Sequence, residues 1–155
     1  MLQPRIKAPD FVLPNEQGID TSLSDLLSDG AVILYFYPAD FTPFCTREAC
    51  SIRDMHQDIA HAGIRVAGIS PQDVASHVRF KERYRLPFML LSDPQKIAVR
   101  LYDVDGPFGL RIRRATYLIG ADGIIEDAVL ADLRVSRHEE FIRRAVRAAA
   151  DVTAG

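Results

Sequence analysis

The chain has 155 residues, a length that suits one domain able to bury roughly 68–70% of its unfolded surface without a disulfide staple. Hydrophobic content of 48%, charged content of 26% and a net charge of −2 describe an ordinary globular protein and argue against nucleic-acid or acidic-membrane partners. The N-terminus lacks the apolar core of a signal peptide, and no apolar run nears the roughly 20 residues of a membrane helix, so the expected compartment is the cytoplasm.

The first 30 residues are divided by Pro4, Pro9, Pro14 and Gly18, with a short edge strand at Phe11-Val12-Leu13 and a brief helical turn over 24–27. Residues 31–37 are apolar throughout and predict a strand buried on both faces. Thr42 as N-cap and Pro43 in the first turn open a helix that runs to about 60, with Gly63 near its C-cap. A second buried strand follows over 64–69. Ser70-Pro71-Gln72-Asp73 reads as an N-cap with proline in the first turn, opening a helix to about 84. A short strand at 88–91 leads to a helix opened by Asp93-Pro94 and running to about 102. Residues 103–109 form a loop. Strands at 115–119 and 124–129 flank the hairpin signal Ala121-Asp122-Gly123. Ser136-Arg137-His138-Glu139 reads as a capping box for a last helix ending near 150. The alternation followed by a hairpin predicts one α/β domain over 1–155, a mixed central sheet flanked by helices on both faces.

Both cysteines, Cys45 and Cys50, lie in the segment that follows the first buried strand. Cys45 falls in the first helical turn, where unpaired N–H groups and the helix dipole favour an anion, and the thiolate is the reactive form of a thiol. Bringing an ordinary thiol from roughly 3% to roughly 90% ionised at neutral pH takes about 3.4 kcal/mol. A helix start supplies no more than about 1–2 kcal/mol, so a further cation or donor is expected nearby. Cys50 follows five residues later. On an ideal helix that spacing separates the Cα atoms by about 8.7 Å, beyond the roughly 7 Å that a disulfide tolerates. A disulfide between them therefore requires the first turns of the helix to unwind, which is cheapest near a helix end.

Several features read as structural. Cys50 by itself is as readily a small buried hydrophobe. Zinc is disfavoured, since no second cysteine pair exists and His56, His61, His77 and His138 are scattered and read as surface residues. Asp103-Val104-Asp105-Gly106 lacks the distal glutamate of a calcium loop and reads as a turn. Arg111-Ile112-Arg113-Arg114 taken by itself reads as a solvated basic edge.

Pro38-Ala39-Asp40-Phe41-Thr42-Pro43-Phe44-Cys45 resembles the active-site pattern of the peroxiredoxins, and a second cysteine five positions on resembles their Q-type, or bacterioferritin-comigratory, subgroup. Lys7-Ala8-Pro9-Asp10-Phe11, Leu23-Ser24-Asp25-Leu26, Leu34-Tyr35-Phe36-Tyr37-Pro38, Leu90-Leu91-Ser92-Asp93 and Arg114-Ala115-Thr116-Tyr117-Leu118-Ile119 fall in the family's order, so the likeness spans nearly the whole chain. The resemblance implies a thioredoxin-like fold and a cofactor-free enzyme that reduces hydrogen peroxide and organic hydroperoxides. Within it Cys45 is the peroxidatic cysteine and Cys50 the resolving one. Thr42 orients the peroxide, Pro38 shields the thiolate, and Arg114 supplies the missing charge. It further implies thioredoxin or a glutaredoxin-like dithiol as reductant and a monomer or weak dimer. Phe44 stands where the subgroup usually carries glycine, and residues 104–113 depart from its lysine-bearing stretch. Glu48 matches an acidic position, but its place between the cysteines points to capping or a surface ion pair. Two other classes fit the same residues: a redox-switched binding or sensor protein using a Cys45–Cys50 disulfide, and a dithiol–disulfide oxidoreductase acting on proteins.

Overall fold

The computed structural model describes residues 1–154, with side chains through residue 152. It opens with an antiparallel pair, β1 (Val12–Pro14) and β2 (Asp20–Ser22), which forms a separate two-stranded sheet. A one-turn helix, α1 (Leu23–Leu27), follows at once. Ser22 and Asp25 close a reciprocal capping box at its start, satisfying donors that so short a helix could not pair internally.

The main sheet is built from β3 (Val32–Phe36), β4 (Arg65–Ser70), β5 (Met89–Ser92), β6 (Ala115–Ile119) and β7 (Ile125–Leu130), in the spatial order β5-β4-β3-β6-β7. The β3–β4 and β4–β5 pairs are parallel, whereas β6 and β7 run antiparallel. The helices between them are α2 (Pro43–His61), α3 (Val74–Tyr84) and α4 (Ile97–Leu101), and α5 (Val135–Ala154) closes the fold.

Strand β3 is apolar at every position because both of its faces are covered. Val32, Leu34 and Phe36 join a core with Leu23 and Leu26 of α1 and Ala98 and Val99 of α4. Ile33 and Tyr35 face the opposite core, with Ala49, Ile52 and Ile59 of α2, Phe80 of α3, and Phe141 and Ile142 of α5. This alternation is the period-2 geometry of a strand read out by two helical layers. The expected mixed sheet with helices on both faces is the fold observed.

Element bounds differ from the sequence expectation where local chemistry chose another cap. Helix α3 begins at Val74, not near Pro71, because Asp73 is its N-cap and accepts from the Ser76 amide at 2.8 Å. Helix α4 begins at Ile97, since the Asp93 carboxylate accepts from the Ile97 and Val99 amides at 2.7 and 3.0 Å and holds the intervening residues in a turn. Helix α5 starts at Val135, one residue before Ser136, and Glu139 accepts from Ser51 of α2 instead of forming the expected box. The edge strand at Phe11 shifts to β1, and its partner β2 was not foreseen. Gly63, with φ of 76°, follows the Ala62 C-cap as expected.

Gly68 in β4 is closely packed on the α2 side of the sheet. A Cβ placed there would lie 2.7 Å from Tyr35 Cζ, and Tyr35 is itself wedged against Tyr37 and Phe88 at ring separations of 5.3 and 6.0 Å. Gly68→Ala is therefore expected to lower stability by about 1–3 kcal/mol through overpacking, measured by urea denaturation. An unchanged midpoint would mean that the ring moves freely.

Burial pushes the phenols of Tyr35, Tyr37, Tyr102 and Tyr117 above the ordinary tyrosine range. A raised folded value means that the folded state keeps protons which the unfolded chain releases above about pH 10. Stability is thus fully present below that pH and falls as pH rises beyond it. The urea midpoint is expected to drop between about pH 8 and about pH 11, and a flat profile would contradict the burial of these rings.

Candidate active site

The segment that enters α2 is held at both ends. Tyr37 extends β3 by donating its amide to Ile69 O at 3.1 Å, and the chain then turns over residues 38–42. Phe41 takes a left-handed backbone, φ of 66°, which is costly for an aromatic residue. Its ring packs edge-on against Phe80 of α3 at 5.2 Å. Thr42 is the N-cap by backbone, with its carbonyl accepting from Thr46 N at 2.8 Å and Pro43 in the first turn. Its side chain does not cap the helix. The hydroxyl donates to Ala39 O at 3.0 Å instead.

Cys45 lies on the first turn of α2 and is 1% exposed. It begins the buried stripe Cys45, Glu48, Ala49, Ile52 and Ile59, so the same helical periodicity that packs α2 turns the sulfur inward. Cys50 is half-buried on the same helix, and both cysteines are free thiols.

Arg114 immediately precedes β6. The antiparallel register pairs Phe36 with Ala115, which brings Arg114 level with the end of β3. It is 2% exposed, not the solvated edge that its basic neighbours suggest. Its Nη2 donates to Cys45 Sγ at 3.2 Å and its Nη1 to Glu48 Oε1 at 2.7 Å. Asp132 fixes the rest of the residue: its Oδ1 accepts from the Arg114 amide at 3.0 Å and its carbonyl from Nε at 3.3 Å. This guanidinium stands where a further cation beside Cys45 is expected. Burial works against its charge, but Glu48 and then Cys45 outweigh burial and hold its pKa above the ordinary value. Arg111, by contrast, is exposed and Arg113 half-exposed, paired with Asp132 at 2.8 Å, as the basic-edge reading predicts.

Glu48 is not at the surface. It is 1% exposed, and burial raises its pKa against the opposing pull of His138 and Arg114. Glu48 Oε2 makes no hydrogen bond among the described residues; His138 Nδ1 lies 3.6 Å from it. His138 is 1% exposed, with Nδ1 at 2.8 Å from Thr116 Oγ1 and Nε2 at 2.9 Å from Ala131 O. His77 is fully buried as well. The surface reading of the histidines thus holds for His61, fails for His77 and His138, and is halfway true of His56, which is partly buried. The missed signal was spacing: His138 stands three residues after Val135 and three before Phe141, and His77 stands three before Phe80, all positions on buried helix stripes.

A cavity of about 400 Å³ opens beside this network, lined by Pro38, Arg114, Asp132, Leu133, Pro107 and residues 111–113. Pro107 and residues 111–113 of the 104–113 segment thus border the cavity. Phe44 is 41% exposed and does not line the cavity. No cluster of potential metal ligands occurs among the described residues, and no described helix is long and apolar enough to cross a membrane.

The AhpC/TSA family model matches residues 4–128. The chain is 40% identical over 123 residues to peroxiredoxin Bcp of Bacillus subtilis, covering 76% of this chain and 78% of that one. The crystal structure of peroxidoxin BcpB from Mycobacterium tuberculosis matches with a TM-score of 0.89 at 34% identity, over 96% of this chain and 98% of that one. A Xanthomonas campestris bacterioferritin comigratory protein, described by its alkyl peroxide reduction activity, matches with a TM-score of 0.82 at 26% identity, over 97% and 98% of the two chains. Identity and coverage at these levels carry the likeness past the fold: the chain belongs to the AhpC/TSA family, among the peroxiredoxins, and is a thiol peroxidase of thioredoxin-like fold.

Proposed function

We propose that the enzyme reduces hydrogen peroxide and organic hydroperoxides with Cys45 as nucleophile and Cys50 as resolving thiol. The observation that carries this reading is the 3.2 Å contact between the buried Arg114 guanidinium and Cys45 Sγ at a helix start. Two sources of positive potential converge on one sulfur there, which favours the thiolate.

The thiolate attacks one peroxide oxygen. An S–O bond forms, the O–O bond breaks, and the leaving oxygen departs as alkoxide or hydroxide and takes up a proton. Cys45 becomes a sulfenic acid, oxidised by two electrons, and the peroxide becomes an alcohol or water. Thr42 already spends its own proton on Ala39 O, so toward a peroxide its hydroxyl can only accept. It would orient the substrate by receiving a peroxide O–H. Pro38, half-buried at the cavity wall beside Arg114, would keep bulk water from the sulfur. The Cys50 thiol then displaces hydroxide from the sulfenic sulfur, giving a disulfide and water. Two thiols of thioredoxin or a glutaredoxin-like donor reduce that bond by exchange.

Cys50→Ser is expected to complete one peroxide turnover and then fail to recycle with thioredoxin, while Cys45→Ser consumes no peroxide at all. The assay is peroxide consumption beside a thiol count before and after oxidation. Full-rate recycling by the Cys50 variant would refute its resolving role.

A hydrogen bond to a charged group is worth about 1.5–3 kcal/mol, so its loss from a thiol that is largely ionised should slow Cys45 alkylation near neutral pH by roughly 2- to 15-fold. The variant that tests this is Arg114→Leu paired with Glu48→Gln, which avoids stranding a buried carboxylate. A pH profile of alkylation identical to that of the unmodified protein would remove Arg114 from the mechanism.

A further inference from the structure

A second buried polar cluster lies under the turn at 38–42 and makes no hydrogen bond to the sulfur. Its centre is Asp40, 5% exposed. Asp40 Oδ1 accepts from Tyr37 Oη at 2.7 Å, and Oδ2 accepts from Ser76 Oγ at 2.7 Å. The same Oδ2 lies 2.8 Å from His77 Nδ1, and His77 Nε2 lies 3.1 Å from the carbonyl of Leu91.

The carbonyl settles the hydrogen inventory. It can only accept, so Nε2 carries a proton. A neutral imidazole then has none on Nδ1, and the Nδ1–Oδ2 contact holds one further proton of its own. The contact is an imidazolium facing a carboxylate, or an imidazole facing a carboxylic acid. In both forms every polar atom of His77 and both oxygens of Asp40 are partnered, which is how a buried polar group escapes its desolvation cost.

We propose that His77 is a positioning residue for the peroxide-reducing site, acting through Asp40 on the turn at 38–42. The inference rests on the reading of Cys45 as nucleophile. Asp40 immediately precedes Phe41, whose left-handed backbone needs an external hold, and stands two residues before Thr42. His77 and Ser76 belong to α3, Leu91 to β5, and Tyr37 closes β3, so the hold comes from the parallel side of the sheet. Arg114, just before β6, reaches the sulfur from the other side and is paired there with Glu48 of α2. The two clusters divide the work. One stabilises the thiolate, and the other keeps the Thr42 hydroxyl and Pro38 where a peroxide must meet them. The His77 fastening is also upstream of the first turns of α2, so the unwinding needed for a Cys45–Cys50 disulfide need not break it.

This division predicts a separation of rates. Peroxide reduction needs both the thiolate and the placed turn, whereas alkylation by iodoacetamide needs the thiolate and access to it but no contact with Thr42 or Pro38. In His77→Gln and Asp40→Asn, the second-order rate of Cys45 with hydrogen peroxide is expected to fall at least tenfold. Cys45 alkylation, followed by mass spectrometry of its peptide, should stay within threefold or become faster. The double variant should be no slower than the slower single, because both changes cut the same contact. Ser76→Ala removes one hydrogen bond to Asp40 and should give a smaller loss of the same kind; it serves as the test if either buried substitution prevents folding. Parallel loss of both rates, an unchanged peroxide rate, or additive losses in the double variant would overturn the proposal. Peroxide consumption by the unmodified protein tests the functional reading separately. If that is absent, faster hydrogen exchange of the Thr46 amide, which donates to Thr42 O, in the His77 and Ser76 variants still supports the fastening, and unchanged exchange refutes it.

Discussion

The contact on which the active site depends is the buried guanidinium of Arg114, set between Cys45 and Glu48. A charge taken out of water costs several kcal/mol unless it is paired and hydrogen-bonded, and a protein that buries one must build around it. Here Glu48 supplies the countercharge, and the side-chain and backbone oxygens of Asp132 hold the amide and Nε. Two of its three side-chain nitrogens, Nε and Nη1, are held by Asp132 and Glu48, and that hold keeps the third, Nη2, aimed at the sulfur. Glu48 gains less from the arrangement, with one oxygen paired and the other left near His138 without a hydrogen bond.

Stability and chemistry pull α2 in opposite directions. Its stripe from Cys45 to Ile59 packs against β3, and the same packing buries the Cys45 sulfur. A continuous helix keeps Cys45 and Cys50 too far apart and on different sides for a disulfide. The first turns are the part that can yield, since a helix end has few internal hydrogen bonds to lose. Thr42 caps through its backbone only, so its hydroxyl is free of the helix and need not move with it. A turn fastened to α3 and a helix start free to open are compatible parts of the proposed cycle.

The sheet was legible because its central strand declares itself. A run that is apolar at every position from 31 to 37 can only be a segment covered on both faces, and β3 is that segment. Apart from β2, strand and helix order, the hairpin at Gly123 and the stop at Gly63 follow from short-range chemistry and stand as read. The misplaced starts of α3, α4 and α5 share one cause. Several Asp and Ser residues compete to cap each helix: local bonds decide for α3 and α4, through Asp73 over Ser70 and the turn held by Asp93, and at α5 a tertiary contact draws Glu139 away to Ser51. The histidines were misread because polarity was weighed above position. His77 and His138 occupy places on apolar stripes, and burial there follows from helix periodicity once their nitrogens find partners.

From the sequence alone come the reactive thiol at a helix start, the need for a second cation, and the conflict between helix and disulfide. Each depends on residues within about one helical turn or on ideal helix geometry, which the chain carries with it. The identity of that cation as a buried donor to the sulfur, rather than one more surface arginine, was settled by the tertiary structure. Cys45 and Arg114 are brought to 3.2 Å by the antiparallel register of β3 and β6, and no local pattern encodes which of three nearby arginines that register turns inward. The same holds for Glu48, His138 and the Asp40–His77 pair. A hydrogen bond between distant segments depends on how strands order and helices pack, and only the assembled sheet fixes that.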